Sequence, residues 1–252
     1  VDKEMKKNRT RAIGIYFPSI VLFLLCLVAR SSVYSQDVPA THQKYMFFPY
    51  PLDHQWRSSL GITLTTLPQD ITEEQHYRYP AIDFHVLKKV SKKIYLDGRV
   101  NVQVFQNMLT AGIRWATPIN DRFSLSLGND IGWWFGSINI YGFNTKGNGF
   151  QNFPNASLGY RFNKKILLTA KGEALMNLSV NARTGTIPVA SNYRLLSGSS
   201  FTIALEQPFF GRNNLTLGFR AIYTDFFWQT WSLFEIFDRN IFYPQIIIGV
   251  TL

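Results

Sequence analysis

From residue 56 onward, apolar and polar residues alternate with period two, in segments of about ten residues separated by turn-forming clusters. Successive side chains on a strand point to opposite sides of a sheet, so this period marks extended chain with unlike faces. The pattern predicts strands at about 56–67, 79–88, 93–105, 109–118, 122–136, 151–162, 165–178, 199–208, 213–226 and 241–252. One parity is apolar, for example Leu60, Ile62 and Leu64, then Ile82, Phe84 and Val86, then Leu215, Leu217 and Phe219, then Ile246, Ile248 and Val250. The other parity collects Asp83 and His85, Asp97 and Arg99, Arg114, Asp130, Lys171 and Glu173, Glu206 and Arg220. A soluble sandwich and a membrane barrel share this period and differ in which face is turned inward, so the pattern alone leaves both open.

The connections separate the two. Short ones, at Lys88–Lys93, Pro118–Asp121, Asn163–Lys165 and Phe209–Asn213, alternate with longer ones at about 68–78, 137–150, 179–198 and 227–240. Short periplasmic turns alternating with longer external loops are characteristic of transmembrane barrels. The predicted fold is therefore all-β: a closed antiparallel up-and-down transmembrane β-barrel of ten strands, with both termini on the periplasmic side. Trp56, Trp115 and Phe162 fall near one set of strand ends. Trp133, Trp134, Phe135, Tyr223, Phe226, Phe227 and Trp228 fall near the other, as aromatic girdles at two membrane interfaces would.

The N-terminal region carries a different signal. Lys6, Lys7, Arg9 and Arg11 precede an apolar run, Ile13 to Ala29, and Val33-Tyr34-Ser35 offers a small-residue cleavage site. Residues 1–35 are thus expected to be a secretory signal peptide with its start at Met5. Residues 36–55, with Pro39, Pro49 and Pro51 among aromatics, are expected to form a periplasmic extension, and 56–252 the barrel. Cys26 is the only cysteine and lies in the leader, which excludes disulfides and thiolate sites from the mature chain. Aromatic residues make up 15% and charged residues 17% of the 252 positions, an aromatic-rich, charge-poor balance suited to a wall facing lipid. The net charge of +10 includes +4 from the leader, and the remaining lysines lie largely in two turns, so nucleic-acid binding is not expected.

The last segment, Phe242 to Leu252, is a strand running to the end of the chain, as a closed barrel needs for pairing with its first strand. With the ten alternating segments, it makes residues 56–252 resemble the small bacterial outer-membrane β-barrels. That class usually ends in an aromatic residue, where this chain has Leu252. The resemblance implies the outer membrane of a Gram-negative bacterium, contact with its lipid and lipopolysaccharide, and insertion by the barrel-assembly machinery.

A ten-stranded barrel is only slightly wider than the eight-stranded kind, whose interior side chains just fill it. Charges in that space must pair. Asp83, His85, Asp97, Arg99, Arg114, Asp130, Lys171, Glu173, Glu206 and Arg220 are therefore expected to form a lumen network, either structural or a constriction, with Lys171 opposite Glu206. Asp83-x-His85 is the one pair with a catalytic look, since residues i and i+2 share a face. Outer-membrane proteases of the omptin class use Asp and His groups at their outer rim, but no second acidic pair faces His85, and no serine stands at motif spacing for lipid hydrolysis. No cofactor or metal is expected. The leading expectation is a non-enzymatic structural or accessory barrel with a polar-plugged lumen, the alternatives being a narrow porin and an omptin-like or lipid-acting hydrolase. The external loops, with Tyr141, Phe143 and Phe150 and with Trp228, Trp231 and Phe234, would either bind a protein or glycan partner or pack on themselves.

Overall fold

The computed structural model describes residues 56–72, 77–140, 143–162, 166–189, 193–209, 213–233 and 239–252. The expected leader and periplasmic extension lie outside them. Ten long strands form: β1 (Trp56–Thr66), β2 (Arg78–Lys89), β3 (Ile94–Val102), β4 (Gln106–Pro118), β5 (Phe123–Ile140), β6 (Phe143–Arg161), β7 (Leu167–Thr184), β9 (Leu196–Pro208), β10 (Asn214–Thr224) and β11 (Ile241–Thr251). A three-residue strand, β8 (Ile187–Val189), doubles back on the end of β7 after Gly185, whose φ of 59° suits the tight reversal. Each long strand pairs antiparallel with the next, and β1 pairs with β11 from Ser59↔Thr251 to Thr65↔Gln245, so the sheet closes without an edge. A short helix, α1 (Gln69–Thr72), follows β1.

All ten expected strands are present, but two expected loops are not. The stretch 137–150 is the far half of a hairpin in which β5 and β6 stay paired to Ile140↔Phe143. Much of 179–198 is likewise strand, since β7 runs on to Thr184. Pairing continues there while the outward positions turn polar, at Ser137, Asn139, Asn144 and Lys146, so the apolar half of the alternation fades although the register does not. A membrane needs about 9–11 tilted residues per strand. At 18 or 19 residues, β5, β6 and β7 therefore project beyond the barrel as a three-stranded flange.

The faces are turned as a membrane requires. Val102, Ile82, Ile62, Ile248 and Leu217 lie side by side across β3, β2, β1, β11 and β10 in one register row on the outer surface. Ile62 and Ile82 are 51% and 55% exposed. The opposite parity of the same strands, including Thr63, Asp83 and Gln245, is buried inside. Trp56, Trp115 and Phe162 stand outward at the end with the short turns, and Trp133 and Tyr223 at the other. Trp134, Phe226, Phe227 and Trp228, expected in that second girdle, are instead buried. Trp134 shares the inward parity of Asp130, and Phe226 to Trp228 lie past the end of β10, where strand alternation no longer sets direction.

Candidate functional site in the barrel lumen

The middle of the lumen is crossed by a belt of ion pairs; strand parity turns these charges inward and strand register brings them together. Asp97 (β3) meets the His85 Nε2 atom (β2) at 2.6 Å and the Arg114 Nη2 atom (β4) at 2.7 Å. Arg114 lies 3.9 Å from Asp130 (β5), and Lys171 (β7) lies 4.0 Å from it. The Lys171 Nζ atom bonds Glu173 at 2.6 Å, and Glu173 in turn accepts from Arg220 (β10) at 2.6 Å and from the Ser200 hydroxyl (β9) at 2.8 Å. Beside this chain the Arg99 guanidinium forks onto Asp83 at 2.5 and 2.8 Å, a bidentate pairing of β3 with β2. The side chains of Asp83, Asp97, Asp130 and Glu173 are one-tenth exposed or less. Their four charges are matched by Arg99, Arg114, Lys171 and Arg220.

The expected Lys171–Glu206 pair does not form. Lys171 lies opposite Thr202, while Glu206 lies opposite Leu167, four residues away along β9 and buried there. Lys171 finds its carboxylate on its own strand at i+2, a pairing the shared face of Lys171 and Glu173 already contained. Ser59 of β1 stands across from His85 in the register, a neighbour that sequence spacing could not show. Asp97 divides its two oxygens between His85 and Arg114.

Above the belt, the chain leaves β10 and turns into the barrel as a short 3-10 helix, Trp228–Leu233. Trp228 and Trp231 are buried rather than presented on an external loop. The Trp231 indole lies over Gly136 of β5 and Gly147 of β6, which are direct register partners. A Cβ built on Gly147 would stand 2.5 Å from the indole Cε3 atom, so the flat backbone of this glycine pair is the seat of the ring. Trp134 packs beside it, with ring centres 6.2 Å apart. Gln229 ties the turn to the wall: its side-chain oxygen accepts from the Thr65 hydroxyl at 2.7 Å, its backbone oxygen accepts from Gln106 Nε2 at 2.5 Å, and Gln245 donates to Thr65 at 2.7 Å. Of the other aromatics expected on loops, Phe150 lies on the outer face of β6, Phe143 begins that strand, and Tyr141 and Phe234 lie outside the described residues.

Between belt and turn remains a cavity of about 80 Å³, lined by Arg99, Lys171 and Arg220 below and by Phe227, Trp228 and Gln229 above. Pockets that hold small organic ligands are roughly 300–1,000 Å³. This one has room for a few water molecules, and its polar lining would hold them.

A closed wall, apolar outside and ion-paired inside, defines the class: a membrane-spanning β-barrel of the small outer-membrane type, placed by that architecture in an outer membrane. No protein-family model matches the chain, and no curated protein matches it in sequence. Among solved structures it is similar to the KdgM porin, at 9% identity and a TM-score of 0.38 over 77% of this chain and 97% of that one. It is similar to the NanC porin at 8% identity and 0.40 over 77% and 98%. It is also similar to Ail, the attachment invasion locus protein of Yersinia pestis, at 8% identity and 0.31 over 78% and 97%. The assignment to the class rests on the wall itself.

Proposed function

We propose that this is a non-enzymatic accessory barrel whose lumen is closed, and whose work is done by its outer surface and external flange rather than by passage of solutes. The carrying observation is the turn Trp228–Leu233, tied by Gln229 to β1 and β4 over a residual cavity of about 80 Å³. Beneath it the belt has a second role: by linking β2, β3, β4, β5, β7 and β10 it favours one register, because a one-residue slip would turn every charge into lipid. His85 serves as a member of the belt, with Asp97 shared between it and Arg114.

A narrow channel is the competing reading, and one observation favours it: charges of both signs ring the lumen at a single level, as a constriction would. Planar-bilayer recording separates the two. The closed reading expects no unit steps from the folded wild type and steps from a variant in which residues 228–233 are replaced by a Gly-Ser linker. Regular steps from the wild type would establish the channel instead.

A further inference from the structure

The outer face of the flange changes character row by row as it leaves the membrane. The outermost wholly aromatic β5–β6 pair is Trp133 of β5 opposite Phe150 of β6, with ring centres 6.5 Å apart; Phe135, in the next row opposite Asn148, closes on Trp133 at 4.5 Å. One row further out, Asn148 of β6 faces Asn181 of β7, their amides 3.4 Å apart. The next row places Lys146 directly opposite Arg183, both exposed. Two cations opposed on one face of a sheet repel each other, which weakens the pair unless an anion lies between them. Elsewhere at this end arginines have acidic partners, Arg239 with Asp70 and Arg194 with Asp225. Among the described residues no carboxylate pairs with Lys146 or Arg183.

We propose that this face binds the phosphorylated sugar headgroup of lipopolysaccharide in the outer leaflet. Each step of two residues along a strand rises about 6.8 Å, so the cation row stands roughly 13 Å along the strand beyond the aromatic row. Strand tilt shortens this to the depth of a sugar-phosphate layer above the acyl chains. The chemistry is graded to match. Ile131, Trp133 and Phe150 lie along acyl chains, Asn148 and Asn181 offer donors and acceptors to ring hydroxyls, and Lys146 and Arg183 converge on one phosphate. A glycerophospholipid would satisfy the cations and leave the amides without sugar partners, which is why the glycolipid fits. The proposal is independent of whether the lumen conducts.

The test uses the full-length barrel in phosphatidylcholine nanodiscs, titrated with bisphosphorylated lipid A, dephosphorylated lipid A or phosphatidylglycerol and read by native mass spectrometry. Bisphosphorylated lipid A is expected to be retained. Retention should fall roughly tenfold in the double variant Lys146→Ala/Arg183→Ala, the loss of two exposed charge contacts. A smaller fall is expected in Asn148→Ala/Asn181→Ala, and none in Lys92→Ala at the opposite rim. Heat-modifiable migration confirms that each variant is folded, and Lys146→Gln/Arg183→Gln replaces the alanine pair if that pair fails. Undiminished retention by the folded double variant, equal retention of dephosphorylated lipid A, or equal retention of phosphatidylglycerol would each overturn the proposal.

Discussion

Glu173 holds two cations and a hydroxyl at once, so it is the residue whose loss the lumen tolerates least. Glu173→Ala leaves Lys171 and Arg220 facing each other without their carboxylate, and breaking a buried pair in this way costs about 3–5 kcal/mol. Urea unfolding in lipid vesicles is expected to show that loss, with Glu173→Gln, which keeps an acceptor, losing less. On the outside, Ile62→Arg near the middle of β1 should cost about 2–4 kcal/mol in the same assay, the penalty for a cation at the bilayer midplane. A soluble sandwich would tolerate that second substitution, because its outward positions meet water. At this scale the sequence was largely readable: the parity that put Asp83, Asp97, Asp130 and Glu173 on one face is the parity of the belt. What it did not carry was which charges meet, because the β7–β9 register, which sets Thr202 rather than Glu206 across from Lys171, depends on how far the two strands run past each other, and no local pattern announces that.

Strand existence was legible wherever alternation was strong, and strand length was not. β5 and β6 continue for several residues past the last apolar outward position, held by pairing that polar side chains do not reveal. The inward turn after β10 was hidden for a different reason. Trp228 and Trp231 read equally well as rim aromatics, and only the glycines opposite them, Gly136 and Gly147, say where an indole can lie. That seat makes an expectation for the element as a whole. Gly147→Val drives a side chain into the space of the Trp231 ring, and overpacking of this kind costs about 1–3 kcal/mol. In a background whose one tryptophan is Trp231, emission should shift to the red as the ring is displaced into water, while the oligomeric state of the detergent-solubilised barrel stays unchanged. An unshifted emission spectrum would mean that the turn is not seated on the β5–β6 hairpin.

At the largest scale the described residues form a barrel with its hydrophobic surface outward, and closure, belt, inward turn and flange all depend on that inversion. Trp133 and Trp134 test it most directly, because they are sequence neighbours on β5 pointed to opposite sides: Trp133 is 40% exposed and Trp134 fully buried. In two single-tryptophan variants, with the other five of the six tryptophans replaced by Phe, the barrel is folded into vesicles whose acyl chains are brominated near the headgroup. Strong quenching of Trp133 together with near-silence of Trp134 is the expected result. Quenching of Trp134 with Trp133 spared, or equal quenching of both, would contradict the orientation of the wall.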